Sequence, residues 1–525
     1  MMKIKTMAGL LLATLSLFAS CAKSTKEVKD PALREGNTFV GITLNMGGSL
    51  RAGGEDENFN HKGKWNGKDL IETIDVYIVD GATVSTGQFN KNNFTIKQEV
   101  GGDGINIVPN TAIRTTPGVK KVYALINAPA SITQDLATAS AAEFERVFND
   151  TKKKIAISEV ASNNGTADKI MAANYKECSV NVQPGVTEEE AKNPMNPKNR
   201  AKVEMKRVVA RVLVTSTQAT YDVFYNDKTT KMGVVSDITY AGAQGEHSFY
   251  IRQKFNGMSL VVSPGYDWVA TNDNFIAEAN NYYDYSDLKT MNRKATVAAD
   301  GLPDVAKIGE ASLKSSLFMF EATHAYQQDA SNRDVASYDG NFRRGNTAYV
   351  LVRAIFTPDK NAFADGGGAS YTKGTDFYLG ANNRFYISKE NTQDPAKGGV
   401  KGQQYRHYVK GKVLYYAFVN PDNVEKTLDA PVLRNNIYHI SVNGFSTIGT
   451  NWNPIYPEDP DTTDPKNPDP KPSDDPKKDD DPDTPDPNPN PIDPGDPDSP
   501  ANTWMSVEMT VVPWAVHSYS ITLGL

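Results

Sequence analysis

Short runs of β-branched and aromatic residues recur through residues 37–450, at 74–79, 122–126, 203–214, 349–356, 412–419 and 437–442, separated by clusters of Gly, Asn, Asp and Pro. Runs of this length and composition predict strands. Many short strands with turn-rich gaps predict β-sandwiches. Helical signals are few. Ser140-Ala-Ala-Glu143 is a capping box inside a predicted helix over 131–148, and Thr187-Glu-Glu-Glu190 opens a shorter one. A chain of 525 residues is too long for one ordinary core. Asn193-Pro-Met-Asn-Pro197 predicts the break between an N-terminal sandwich, 52–197, and a C-terminal sandwich, 198–452.

Two alternating segments lie outside that pattern. Residues 38–46 place Val40, Ile42, Leu44 and Met46 on one face and Gly41, Thr43 and Asn45 on the other. Near the other terminus, in 503–525, Met505, Val507, Met509, Val511, Tyr519, Ile521 and Leu523 share one parity, opposite Ser506, Glu508, Thr510, Ser518, Ser520 and Thr522. Pro513 predicts a kink or an edge position between two strand pieces. Between the sandwiches and this last segment, residues 457–500 hold fifteen Pro, with fourteen Asp and one Glu against four Lys, a local net charge of −11. Such a tract buries no apolar surface, and 453–502 reads as a disordered linker. At ~3.1 Å per residue it reaches on the order of 140 Å when extended. The whole chain carries −7, so the remainder is nearly balanced, at about +4. No basic stripe with interleaved aromatics marks a nucleic-acid partner.

The first twenty residues read as an export signal: Lys3 and Lys5, an apolar run from Met7 to Phe18, then Ala19-Ser20-Cys21. The run is too short to span a bilayer. Cys21 directly after Ala-Ser reads as a lipobox cysteine, acylated after cleavage, which makes 21–51 a lipidated propeptide containing the strand 38–46. The loop Gly47-Gly-Ser-Leu-Arg51-Ala52-Gly-Gly54 that follows is a protease target, with cleavage expected between Arg51 and Ala52.

If 38–46 completes a sandwich, its loss opens a groove with unpaired backbone and an uncovered core. Four matched apolar side chains supply roughly 6–12 kcal/mol before ordering costs. If segment 503–525 of a second copy fills that groove, the contact is head-to-tail and does not close, and so makes a filament; the other reading of 503–525 is the last strand of the C-terminal sandwich on its own chain, reached by a long surface loop.

Catalytic and metal chemistry lack a constellation. The six histidines, at 61, 247, 324, 407, 439 and 517, have no triad or ligand setting. Glu321 and His324 have metal-motif spacing without partners and read as a surface or packed pair, and His517 reads as a packed or rim histidine. Cys178 reads as a buried or semi-buried thiol. The tyrosines at 282–285 and 415–416 are sugar-stacking candidates, but sandwich cores use Tyr routinely. No cofactor is expected.

The chain resembles the shaft fimbrilins of the short (minor) fimbriae of Bacteroidales. The motifs are Phe18-Ala-Ser-Cys21, Leu50-Arg-Ala-Gly53, Val76-Tyr-Ile-Val79 and Val122-Tyr-Ala-Leu-Ile-Asn127, followed by Lys206-Arg-Val-Val-Ala-Arg211, Tyr283-Asp-Tyr-Ser-Asp-Leu288 and Arg344-Gly-Asn-Thr-Ala-Tyr-Val-Leu-Val352. Val413-Leu-Tyr-Tyr-Ala-Phe418, Arg434-Asn-Asn-Ile-Tyr438, the Pro/Asp tract and Val511-Val-Pro-Trp514 complete the set. The resemblance implies an all-β fold of two tandem transthyretin-like Greek-key sandwiches with a few short helices, a linker and a C-terminal donor strand. It also implies lipidation at Cys21, transport to the outer membrane and cleavage after Arg51 by an arginine-specific protease. Implied partners are identical subunits, an anchor protein and tip accessory proteins, in a surface fimbrium that supports adhesion and biofilm formation. The alternatives are a tip or anchor accessory protein, or a surface glycan-binding lipoprotein that keeps its lipid.

Overall fold

In the first strands of the chain, alternation in sequence becomes an inward face. A computed structural model describes residues 38–46, 70–98, 105–164, 167–193, 198–256, 261–271, 273–289, 291, 293–297, 315–324, 342–420, 430–451, 505–506 and 515–523. Cys21, Arg51, Ala52, Val507, Met509, Val511 and the linker lie outside the described residues.

The N-terminal half contains β1 (Thr38–Met46), β2 (Thr73–Val79), β3 (Val84–Asn90), β4 (Phe94–Gln98), β5 (Ile105–Pro109), β6 (Ile113–Thr115) and β7 (Gly118–Ile126). After helices α1 (Ala130–Thr138) and α2 (Ala141–Asn149) come β8 (Lys152–Lys154), β9 (Ala161–Asn163), β10 (Asp168–Ile170), β11 (Ala172–Asn174) and β12 (Ser179–Val182). Helix α3 (Glu188–Lys192) and β13 (Arg200–Arg207) end this half. The main sheet runs β3-β2-β7-β11-β13-β1-β5-β4, with β12 also on β7 and β6 also on β1. It wraps one core, built from the inward residues of β1, β2, β7, β12 and β13 together with Ile107 and Ile113. The other face of β2 and β7 is buried too, since Tyr77 and Tyr123 pack on Phe144 and Phe148 of α2. The single helix expected over 131–148 is therefore two. Ser140 accepts from Glu143 N at 3.3 Å as the N-cap of α2, and the chain turns there to lay both helices on the sheet. The shorter expected helix is α3, with a complete capping box between Thr187 and Glu190.

The C-terminal half has two facing sheets. One pairs β14 (Ala210–Ser216) with the strand Asn436–Phe445; the other runs through β15 (Thr220–Phe224), β16 (Lys231–Ala243) and the strands Tyr349–Pro358 and Lys412–Phe418. Their inner faces meet in a core that includes Val212, Val235, Tyr240, Val352, Phe356, Tyr415, Tyr438 and Ile440. The run 203–214, expected as one strand, divides at Val208-Val209, where the chain leaves the first sheet and enters the second. β13 thus belongs to the N-terminal sheet, and the passage between halves falls after Arg207 rather than at 197.

The halves are not separate beads. Tyr77, Leu125, Phe144 and Met171 share one buried cluster with Val208, Leu213, Phe249, Phe320 and Ile437. β8 pairs with Ser248–Tyr250 across the junction. Arg211 of β14 forms an ion pair with Asp168 of β10, with both side chains at most 1% exposed. Two β units thus share apolar and ionic burial.

Candidate functional site

β1 is an interior strand. It runs parallel to β13, Gly41 to Met46 opposite Arg200 to Met205. On its other side it is antiparallel to β5, Leu44 to Met46 opposite Ile107 to Ile105, and to β6, Thr38 to Val40 opposite Thr115 to Ile113. Val40 (0% exposed), Ile42 (2%), Leu44 (0%) and Met46 (5%) all point into the N-terminal core, on the face their alternation predicts. Burial of these four is worth roughly 6–12 kcal/mol.

Side chains and loops tie down the outer face and the ends of β1. The Phe39 and Gly41 amides donate to the Val186 and Asn199 carbonyls at 3.2 and 2.8 Å. Thr38 Oγ1 donates to Gln183 O at 2.6 Å and accepts from Asn199 Nδ2 at 2.9 Å. Asn45 Nδ2 donates to Asn106 Oδ1 at 3.0 Å. Arg200, whose pKa burial lowers, donates through Nη1 to Thr43 Oγ1 at 3.0 Å. Through Nη2 it donates to the Ala191 and Lys192 carbonyls of α3 at 2.8 and 3.1 Å. Along β13, Lys206 lies 3.6 Å from the Tyr175 ring centroid, and burial pulls its pKa down to about 8. Cys178, half-buried beside this core, has its thiol pushed up to about 11 by burial, so it stays protonated.

β5 pairs with β1 and β4, and β4 pairs with β5. Of the described strands, β1 alone ties the hairpin Phe94–Pro109 to the rest of the sheet. Residues 38–46 therefore hold two things at once: the apolar interior and one flank of the sheet. The clamp of Arg200, α3 and Asn199 and the dependence of the β4–β5 hairpin on β1 have no local sequence signature. The one hint is Gly41, a glycine in a strand interior, which marks close backbone approach.

The C-terminal segment lies elsewhere. Residues Ala515–Leu523 form a strand parallel to Asn436–Phe445 at the end of the C-terminal half's sheet, with Met505–Ser506 antiparallel to its Ile521 and Ser520. A strand with no evident place in the sequence thus has one, on its own chain. Tyr519, Ile521 and Leu523 belong to it, and Met505 to the short strand beside it.

The residues weighed for chemistry serve structure. Glu321 (3% exposed) pairs with Arg434 Nε at 2.8 Å. His324 donates from Nε2 to Asn346 O at 2.9 Å and packs edge-on against Phe342, and burial pulls its pKa to about 4, leaving it neutral. The pair is packed, each residue with partners of its own. Tyr283, Tyr285, Tyr415 and Tyr416 are buried, unsuited to stacking on a sugar from solvent.

Residues 406–520 match the family described as "Major fimbrial subunit protein type IV, Fimbrillin, C-terminal". Over 526 residues the chain is 30% identical to the minor fimbrium subunit Mfa1 of Porphyromonas gingivalis, covering 97% of this chain and 98% of that protein. A second Mfa1 sequence from that organism matches equally, at 30% identity over 526 residues. The chain belongs to the fimbrilin family, among its Mfa1-type members. Its relatives are structural subunits of fimbriae, so it is a structural protein and not an enzyme. Among solved structures, a candidate cell adhesion protein from Parabacteroides distasonis aligns with a TM-score of 0.39 at 12% identity, covering 79% of this chain and 94% of that one. The tip fimbrial protein Mfa3 of P. gingivalis aligns with a TM-score of 0.28 at 10% identity, covering 61% and 81%.

Proposed function

We propose that this chain is the polymerising shaft subunit of a surface fimbrium. It is exported as a precursor acylated at Cys21 and held at the outer membrane. An arginine-specific protease cuts between Arg51 and Ala52, and β1 departs with the lipid. The groove then accepts the segment 503–525 of a second copy, delivered on the Pro/Asp linker. Anchor and tip accessory proteins terminate the polymer, and the fibre serves adhesion and biofilm formation.

The observation that carries this reading is the position of β1. The chain devotes an interior strand, with four buried apolar side chains, to a segment that precedes a glycine-rich loop with a lone arginine. Removing an edge strand would leave a sheet nearly intact; removing this one uncovers the β13 flank, the β5–β6 flank and the core between them, and that demands replacement. An accessory protein that caps a fibre needs either the groove or the donor, and this chain carries candidates for both.

The test is Arg51→Ala. The variant is expected to accumulate at the cell surface as a lipidated precursor retaining residues 38–46, with fibre yield reduced at least tenfold. Mass measurement of surface protein and electron microscopy read both effects. Wild-type fibre abundance from subunits still beginning at Cys21 would refute the reading.

A further inference from the structure

At one point on the back of β1 the nearest cover is main chain. A Cβ placed on Gly41 would lie 2.0 Å from the Ala191 carbonyl oxygen, 3.0 Å from its carbon and 3.0 Å from Arg200 Nη2. Ala191 is fully buried, and α3 is braced by its capping box and by Arg200 on the last two carbonyls of the helix. The clash is with main chain, so no rotamer change relieves it. Only glycine fits beneath α3 in this arrangement.

The strand expected to replace β1 offers no glycine there. β1 and Ala515–Leu523 each have nine residues, and each lies parallel to a neighbour, Arg200–Arg207 for the first and Asn436–Phe445 for the second. Superposed residue for residue, Tyr519, Ile521 and Leu523 fall at Ile42, Leu44 and Met46, and Ser518 falls at Gly41. Ser520 falls at Thr43 and keeps a hydroxyl for Arg200. Neither 515–523 nor 503–512 contains a glycine, so a shifted register within either stretch meets the same obstacle.

We propose that α3 is a lid that closes over the groove only on the chain's own β1 and lifts when a strand from a second copy takes its place. This rests on the strand-exchange reading above. In the precursor, Gly41 lets the lid close and Arg200 joins lid and strand, so β1 is held on its back as well as its sides. In the polymer, the Cβ of the incoming residue keeps the Ala191 carbonyl away, and α3 loses the surface that buries it. A five-residue helix without packing does not persist in water, so its amides exchange freely.

Hydrogen exchange of residues 187–193 in the intact precursor and in protease-matured fibres tests this on the wild-type chain. Exchange at least tenfold faster in the fibre is expected. A Ser518→Gly donor should allow the lid to close and restore the slow rate in fibres, and Gly41→Ala should speed exchange in the precursor. Subunit mass is measured on the same fibres. If residues 38–46 are absent and 187–193 exchange as slowly as in the precursor, the lid is refuted while strand exchange stands. If 38–46 remain in the fibre, the strand-exchange reading falls and takes the lid with it.

Discussion

Deleting residues 503–525 is expected to leave a folded, secreted, cleavable monomer that forms no fibres, a loss of at least a hundredfold in polymer. The two terminal strands stand in different places in their sheets. Ala515–Leu523 is added outside Asn436–Phe445, which keeps its parallel partner β14 and its place in the sandwich. Tyr438, Ile440 and Val442 of that strand are buried in the core shared with the facing sheet. Deletion therefore removes the two outer strands, Met505–Ser506 and Ala515–Leu523, and keeps the pairing of Asn436–Phe445 with β14. Loss of β1 instead strips both β13 and the β5–β6 side and exposes a core that only another strand can cover. On the proposed strand exchange, a chain lacking 503–525 is still cut and still receives, but it has nothing to give. Size-exclusion chromatography with light scattering, and electron microscopy, read the outcome. In mixtures with wild-type subunits, the truncated chain should end growth and shorten fibres in proportion to its share.

The second large effect is on stability. Asp168→Ala is expected to cost about 3–5 kcal/mol, because it strands the Arg211 guanidinium in an interior where both members of the pair are at most 1% exposed. Arg211 has some help: Nη1 donates to Ser316 Oγ at 2.5 Å, and its Cζ lies 4.7 Å from the Phe318 ring centroid. Neither supplies a negative charge. Asp168 sits on β10 of the N-terminal half, and Arg211 opens the C-terminal half in β14, so the pair is a fastening between the two. Replacing both, Asp168→Leu with Arg211→Met, should recover most of the loss, since a buried ion pair contributes little beyond apolar residues of similar volume. Urea unfolding of the monomeric truncated chain measures each variant. A double variant as unstable as Asp168→Ala would show that the pair does more than balance its own desolvation.

Much of this arrangement is legible in the sequence because it is local. Val40, Ile42, Leu44 and Met46 alternate against Gly41, Thr43 and Asn45, and period two alone fixes which face is buried. The Thr187–Glu190 capping box fixes where α3 starts. What sequence conceals is non-local. Arg207-Val208-Val209-Ala210 reads as one continuous strand because the corner itself, Val208-Val209, is apolar. Val208 and Val209 are buried, in the cluster that joins the halves, so the corner carries no polar turn residues. The break in the helical run 131–148 carries a local mark, since Ser140-Ala-Ala-Glu143 is a helix-start signal, but the sheet beneath decides that it opens a second helix. The interior place of β1 depends on partners at 105–115 and 200–205, distant pairings that alternation cannot specify. Gly41 is visible as a glycine, but the carbonyl it accommodates is not.

A strand from a second copy is expected to occupy the place of β1, and a disulfide placed across the ladder tests this. In the precursor, Glu204 of β13 lies opposite Asn45. In the residue-for-residue superposition, Thr522 takes the position of Asn45. With Cys178→Ser in the background, subunits carrying Glu204→Cys are mixed with subunits carrying Thr522→Cys during maturation, and Ser520→Cys and Ser518→Cys are run alongside to cover shifted registers. A disulfide joining the two kinds of subunit, strongest at 522, is expected in fibres whose Glu204→Cys subunits begin at Ala52. Fibres that show no intersubunit link at any of the three positions, and in which Glu204→Cys still links to an Asn45→Cys on its own chain, would contradict it.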